Sequence, residues 1–285
     1  MAKIHLLRHG PKNNNPEAHQ TGVEALLDPQ GINKIISQAS ELLSDRSYAV
    51  RNGFDYSINT FNRIRVETTP VNRAISTGNI VYKVLSLDPR FEVPEPIVNE
   101  LIGSYGINPL TNDAINLSPK SMSGVWGEAK KQETYQGQQG EHCPLYAWCE
   151  QGFDNPQAGQ RDDLGISLRE IACRLGTYVF NTLETADEHD LIIAYGHSGD
   201  IEPFSYLILE MLEGRDGTDK EAMTRRFRET GGALEPLEGL NISYIPKISG
   251  TYSELLRDVL KQQAEWFKEY GRSKEVLAEK LRQGN

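Results

Sequence analysis

The chain has 285 residues, 38% hydrophobic and 25% charged, the composition of a soluble globular protein long enough to bury a sizeable core. A formal net charge of -10 excludes bulk attraction to nucleic acid or to an anionic membrane, so an anion site must be a local basic pocket. Cys143, Cys149 and Cys173 are too few and too scattered for a disulfide framework, and His142, Cys143 and Cys149 lack the paired spacing of a zinc site. The first apolar run is shorter than the roughly 7–15 residues of a signal-peptide core, and no run approaches the ~20 of a membrane span, so a cytoplasmic setting is expected.

In chain order, Lys3 to Leu7 predict a buried strand that stops at Arg8, His9 and Gly10. Pro11 to Pro16 is a loop by composition. A helix follows, with Asp28 as N-cap, Pro29 in its first turn and an apolar face of Ile32, Ile35, Ile36, Ala39, Leu42 and Leu43. Ile64 to Thr68 alternate as a strand. The next helix carries Arg73 in its first turn and apolar positions at Ile75, Ile80, Val81 and Val84. Phe91 to Ile97 read as extended and lead into Val98-Asn99-Glu100-Leu101, closed by Gly103.

From Ser104 to about Asp163, Asn, Gln, Gly, Ser and Pro dominate. A structureless loop of that length is improbable, so an insertion, a cap with structure of its own, is expected over 104–163. Trp126, Tyr146 and Trp148 would line that cap or form its small core. Ser167 to Leu183 return to helical periodicity. Asp190 to Tyr195 form the clearest buried strand, ending in Gly196-His197-Ser198-Gly199, with a helix through Phe204, Leu207, Leu209 and Leu212 behind it.

In the charged stretch 213–232, Arg225, Arg226 and Arg228 read as a solvated helix face, with contact to an anionic substrate as the lesser option. Asn241 to Ile245 read as a late strand, and 253–285 as a helical extension interrupted at Gly271. His5 is expected to pack inside the first strand, and His19, His142 and His189 to lie in polar surface or loop positions. Alternating strands and helices predict one α/β domain over 1–285, a three-layer sandwich whose mainly parallel central sheet is flanked by helices, plus the inserted cap.

Two predicted strands thus end in histidines, His9 and His197, and two arginines, Arg8 and Arg73, lie beside strand ends. If these strands are parallel neighbours, all four side chains meet outside the carboxyl edge of the sheet, where open α/β folds bind ligands. Arginine forks match phosphate oxygens, and imidazole serves as nucleophile or as hydrogen-bond donor. An acid must still protonate the leaving oxygen, and Glu100 and Asp200 are both candidates.

These residues also carry a family resemblance. Leu7-Arg8-His9-Gly10 with Asn15 resembles the signature of the histidine phosphatase superfamily, which includes the phosphoglycerate mutases. Thr69-Pro70-Val71-Asn72-Arg73-Ala74-Ile75-Ser76-Thr77 is similar to its second motif, Val98-Asn99-Glu100 to its acid-bearing segment, and Ala194-Tyr195-Gly196-His197-Ser198-Gly199 to its late histidine motif. The four occur in the family's order across residues 3–205. The resemblance implies that His9 becomes phosphohistidine, that Arg8, Arg73 and His197 hold the phosphoryl oxygens with Asn15 and Ser198 assisting, that Glu100 is the general acid and later base, and that no metal or other cofactor takes part.

Pro11 and Lys12 depart from the family pattern after the glycine, and Ser104-Tyr105-Gly106 echoes only part of the pattern after the acid. The expected function is hydrolysis of a small-molecule or peptide phosphomonoester, without nucleic acid or membrane partners and with a homo-oligomer left open. A phosphoglycerate mutase-type phosphotransferase and a non-catalytic phospholigand-binding module are the alternatives. A serine hydrolase ranks lowest: Gly196-His197-Ser198-Gly199-Asp200 nearly matches a nucleophile elbow, but the last glycine is replaced and no histidine follows His197.

Overall fold

The computed structural model describes residues 2–11, 27–44, 58–107, 114–116, 145, 149, 168–212, 220–229, 233–234 and 236–243. Lys12, Asn15, His19, His142, Cys143, Trp126, Tyr146 and Trp148 lie outside them, as do most of the 104–163 insertion and the whole 253–285 extension. The chain divides into two compact units, the first built from residues 1–102, 182–201 and 234–245 and the second from 103–181, 202–233 and 246–285.

The first unit is an α/β sheet. Its strands are β1 (Lys3–Arg8), β2 (Arg63–Thr68), β3 (Ile97–Val98), β6 (Asp190–Gly196) and β7 (Gly239–Ser243), in the order β3-β2-β6-β1-β7. The first four are mutually parallel, and β7 runs antiparallel to β1. The register pairs Arg8 with Gly196, and Thr68 with both Tyr195 and Val98. The strand ends are therefore level, and His9, Thr69, Asn99 and His197 all leave the sheet at one edge. Every residue of β6 is buried, as its unbroken apolar run predicts for a central parallel strand.

Helix α1 (Pro29–Leu43) starts as predicted: Gln30 N–H donates to Asp28 Oδ1 at 3.3 Å, and Pro29 fills the first turn. It buries Gly31, Ile35, Ala39 and Leu42, one stripe at helical spacing, and leaves Ile36 40% exposed. Helix α2 (Asn72–Leu85) carries Arg73 in its first turn, but its core face differs from the predicted one. Ala74, Thr77, Gly78, Val81 and Leu85 are buried, while Ile75, Ile80 and Val84 are only partly so. Small residues lie underneath because the helix presses close on β2: a Cβ on Gly78 would stand 2.5 Å from Thr68 Cγ2. Leu7, Ile64, Val66, Leu191 and Ile193 complete that core against α1 and α2. Ile4, Leu6, Ile192 and Ala194 on the opposite face of the sheet are equally buried. Strand β7 begins at Gly239, two residues before the predicted start. A side chain there would collide with the Leu6 carbonyl, so the close pairing with β1 requires glycine and outweighs strand propensity.

In the second unit, β4 (Tyr105–Ile107) pairs antiparallel with β5 (Ala114–Asn116), so the predicted insertion opens with a small sheet. Helix α3 (Leu168–Thr185) buries Arg174, whose Nε–H donates to the Gly103 carbonyl at 3.0 Å. Helices α4 (Ile201–Leu212) and α5 (Lys220–Glu229) follow, and they correct the solvated-face expectation at Arg226. Arg226 is buried, and its Nε–H donates at 2.8 Å to a carboxylate oxygen of the fully buried Glu210. Arg225 and Arg228 are exposed as predicted. Among the described residues no helix is long and apolar enough to cross a membrane.

Candidate active site

His9 follows β1 directly and is buried, as is His197 after β6. Adjacent parallel strands bring the two imidazoles together, their ring centroids 4.7 Å apart and their planes at 66°. His9 Nδ1 lies 2.6 Å from the Gly10 carbonyl oxygen. A carbonyl oxygen only accepts, so Nδ1 carries the proton and Nε2 keeps a lone pair. Arg73 Nε, which only donates, lies 2.8 Å from that Nε2. The two contacts agree on one neutral tautomer with its unprotonated nitrogen facing a guanidinium.

Burial holds the His9 pKa well below the ordinary imidazole value, and His197, Arg73 and Arg8 push it the same way against an opposing hydrogen bond to Gly10. His197 is lowered for the same first reason, helped by Arg73 and Arg8. Two cations beside two neutral imidazoles make the local basic pocket that an acidic chain needs to receive an anion.

The loop after His9 is fixed from two sides. Gly10 N–H donates to Thr77 Oγ1 at 3.1 Å, and Thr77 Oγ1 donates in turn to the Arg73 carbonyl at 2.8 Å. Thr77 thus ties the His9 loop to the helix that carries Arg73. It stands in the second motif, yet nothing local marks it as a brace. Gly10 itself has no room for a side chain, since a Cβ would meet Ile35 Cδ1 at 2.5 Å. Pro11 packs on Gly31 of α1, and its carbonyl accepts from Asp28 N–H at 3.1 Å, so this proline seats the loop on the helix N-terminus. Arg8 is half-buried, and its Nη1 donates to the Leu234 carbonyl.

Ser198, Gly199 and Asp200 form the turn after His197, with Gly199 at φ 89°, a conformation that favours glycine. The turn returns the Asp200 carboxylate to 3.5 Å from His197 Nδ1, both groups buried. That places Asp200, one of the two acid candidates, directly beside His197. The sequence signal was a histidine with an acid three residues on and a glycine between. Ser198 is half-buried in the same turn.

Glu100 is half-buried in the turn after β3. The strand order sets β3 two strands from β6 and three from β1, so at ~4.8 Å per strand the end of β3 stands roughly 10 Å from that of β6 and roughly 14 Å from that of β1. The fold thus gathers Arg8, His9, Arg73 and His197 at one point, with Glu100 in the turn beyond β3 at the same edge of the sheet. Asn15 lies outside the described residues. Among the described residues, no three His, Cys, Asp or Glu side chains converge as metal ligands.

No family model and no curated protein matches the chain. Among solved structures, the chain is similar at low identity to phosphatases and to a phosphoglycerate mutase. A mycobacterial glucosyl-3-phosphoglycerate phosphatase is 13% identical over 85% of this chain and 92% of that one, with a TM-score of 0.45. A phosphoglycerate mutase from Bacillus anthracis is 13% identical over 79% and 96%, TM-score 0.43. A phosphoserine phosphatase from Entamoeba histolytica is 15% identical over 85% and 98%, TM-score 0.40. Similarities this low carry no argument about reaction or substrate. Those rest on the site itself.

Proposed function

We propose that the protein transfers phosphoryl groups as a phosphomonoesterase acting through a phosphohistidine at His9. The observation that carries this is the fixed tautomer of His9: Nδ1 engaged by the Gly10 carbonyl, Nε2 faced by Arg73, with His197 and Arg8 beside it.

An entering phosphate dianion draws the Arg73 guanidinium from Nε2 onto its own oxygens, in charge-assisted hydrogen bonds that arginine makes well. The negative charge offsets both arginines, so His197, oriented by Asp200, takes up a proton and donates to a phosphoryl oxygen. His9 Nε2 then attacks phosphorus. The N–P bond forms as the ester P–O bond breaks, and Glu100 gives its proton to the leaving oxygen. In the second half, Glu100 takes a proton from water as the water oxygen attacks phosphorus. The N–P bond breaks, Nε2 recovers its lone pair, and inorganic phosphate leaves. The site supplies positioning and charge, which is most of what phosphoryl transfer asks of a protein.

The substrate class is a small-molecule or peptide phosphomonoester. Water rather than a second hydroxyl is the preferred acceptor because of the unusual insertion over 104–163. The test is a panel of an aryl phosphate, a phosphoserine peptide and a phosphoglycerate, run with wild type and His9→Ala. Release of inorganic phosphate lost in His9→Ala supports the reading. Transfer between phosphoglycerate positions without net release turns it to a mutase, and binding without either reaction turns it to a phospholigand module.

A further inference from the structure

Glu67 is 1% exposed at the end of β2, an uncommon place for a carboxylate. Arg65 Nη2 donates to its Oε1 at 2.6 Å, which accounts for one oxygen. The other lies 3.4 Å from Asn99 Nδ2. The parallel register explains the meeting: Glu67 pairs with Ile97, and Asn99, two residues further along, falls on the same face of the sheet.

Asn99 is held at every polar group it has. Its N–H donates to the Thr68 carbonyl at 2.8 Å, its Oδ1 accepts from Leu101 N–H at 3.0 Å, and its carbonyl accepts from Ile102 N–H at 3.3 Å. Glu100 lies between the two residues joined by that side-chain turn, so the turn sets where its backbone points. We propose that Asn99, anchored by Glu67, is a positioning residue that aims the Glu100 carboxyl at the leaving oxygen. This rests on Glu100 being the general acid, as proposed above.

The test compares 4-nitrophenyl phosphate, whose leaving group needs little protonation, with phenyl phosphate, whose leaving group needs more. Glu100→Gln comes first and must slow the second substrate far more than the first in kcat/KM, which reports the step that breaks the ester bond and not the later hydrolysis of the phosphohistidine. With that established, Asn99→Ala is expected to lower kcat/KM on phenyl phosphate by about tenfold or more while changing 4-nitrophenyl phosphate by less than about threefold, part of the roughly 100-fold or greater effect of a general acid.

Asn99→Asp keeps the acceptor for Leu101 N–H but loses the donor to Glu67 and adds a like charge, so it should show the same selective loss. Adding Glu67→Gln to Asn99→Asp restores the hydrogen bond with donor and acceptor exchanged, and should recover the phenyl phosphate rate. A loss that came only from misfolding would slow both substrates alike and would not be rescued by that exchange.

Equal slowing of the two substrates by Asn99→Ala, or no recovery in the double variant, overturns the positioning role while Glu100 stands. If Glu100→Gln slows both substrates equally, the acid assignment fails, and the positioning role fails with it.

Discussion

Arg73 Nε stands 2.8 Å from His9 Nε2, the nitrogen proposed to attack phosphorus. The same guanidinium therefore caps the nucleophile and marks where the phosphate must sit. Arg73→Ala should weaken phosphate or vanadate binding by about 10- to 100-fold, the value of one hydrogen bond to a charged group at about 1.5–3 kcal/mol. Arg73→Lys should recover only part, because an ammonium has no planar fork. Titration calorimetry with vanadate measures both, and unchanged binding in Arg73→Ala removes the residue from the clamp.

Three buried histidines make stability pH-dependent. His5 is lowered to about 3 by burial and by Lys3, and His9 and His197 are lowered well below the ordinary value. Below pH ~6.5 the unfolded chain binds protons that the folded chain refuses, so stability is complete above that pH and falls as pH drops. Each such histidine contributes a slope of about 1.4 kcal/mol per pH unit until its folded pKa is reached. Urea unfolding between pH 8 and 5 should show the decline, and His5→Leu should flatten it by one histidine's share. An unchanged slope in that variant would mean that His5 is protonated inside the fold.

Thr77 joins Gly10 N–H to the Arg73 carbonyl through one hydroxyl. Thr77→Val leaves a buried N–H without its acceptor and should cost about 1–3 kcal/mol of stability. It should also lower kcat, since the His9 loop and the Arg73 helix lose their tie. Thr77→Ser keeps the hydroxyl and should stay near wild type in both. Chemical denaturation and steady-state kinetics on the three proteins decide it.

Gly10→Ala pushes a methyl into Ile35 Cδ1, 2.5 Å away, and should destabilise by about 1–3 kcal/mol through overpacking. Ile35→Val removes that carbon, so the double variant should be more stable than Gly10→Ala alone. Additive losses would show that the loop accommodates the methyl elsewhere.

The convergence of Arg8, His9, Arg73 and His197 was legible because each sits where an apolar run or a helix start breaks, a strictly local signal. The parallel order that brings them together followed from strand–helix alternation. What was not legible depends on register or on close approach. The core face of α2 went unread because Ala74, Thr77 and Gly78 are chosen for small size and carry no hydrophobic signal. Asp200 read only as an acid candidate; its place 3.5 Å from His197 Nδ1 depends on the turn at Gly199. Arg226 looked solvated because its carboxylate partner lies in the preceding helix. Glu67 gave no sign at all, since its meeting with Asn99 depends on how two strands 30 residues apart are aligned.

The most direct measurement is to quench the enzyme during turnover of a labelled phosphomonoester under alkaline denaturing conditions, where a phosphoramidate survives, and to map the label. The expected result is phosphate on His9, absent in His9→Ala, which also loses turnover. Label on another residue, or wild-type turnover by His9→Ala, would contradict a phosphohistidine mechanism at this site.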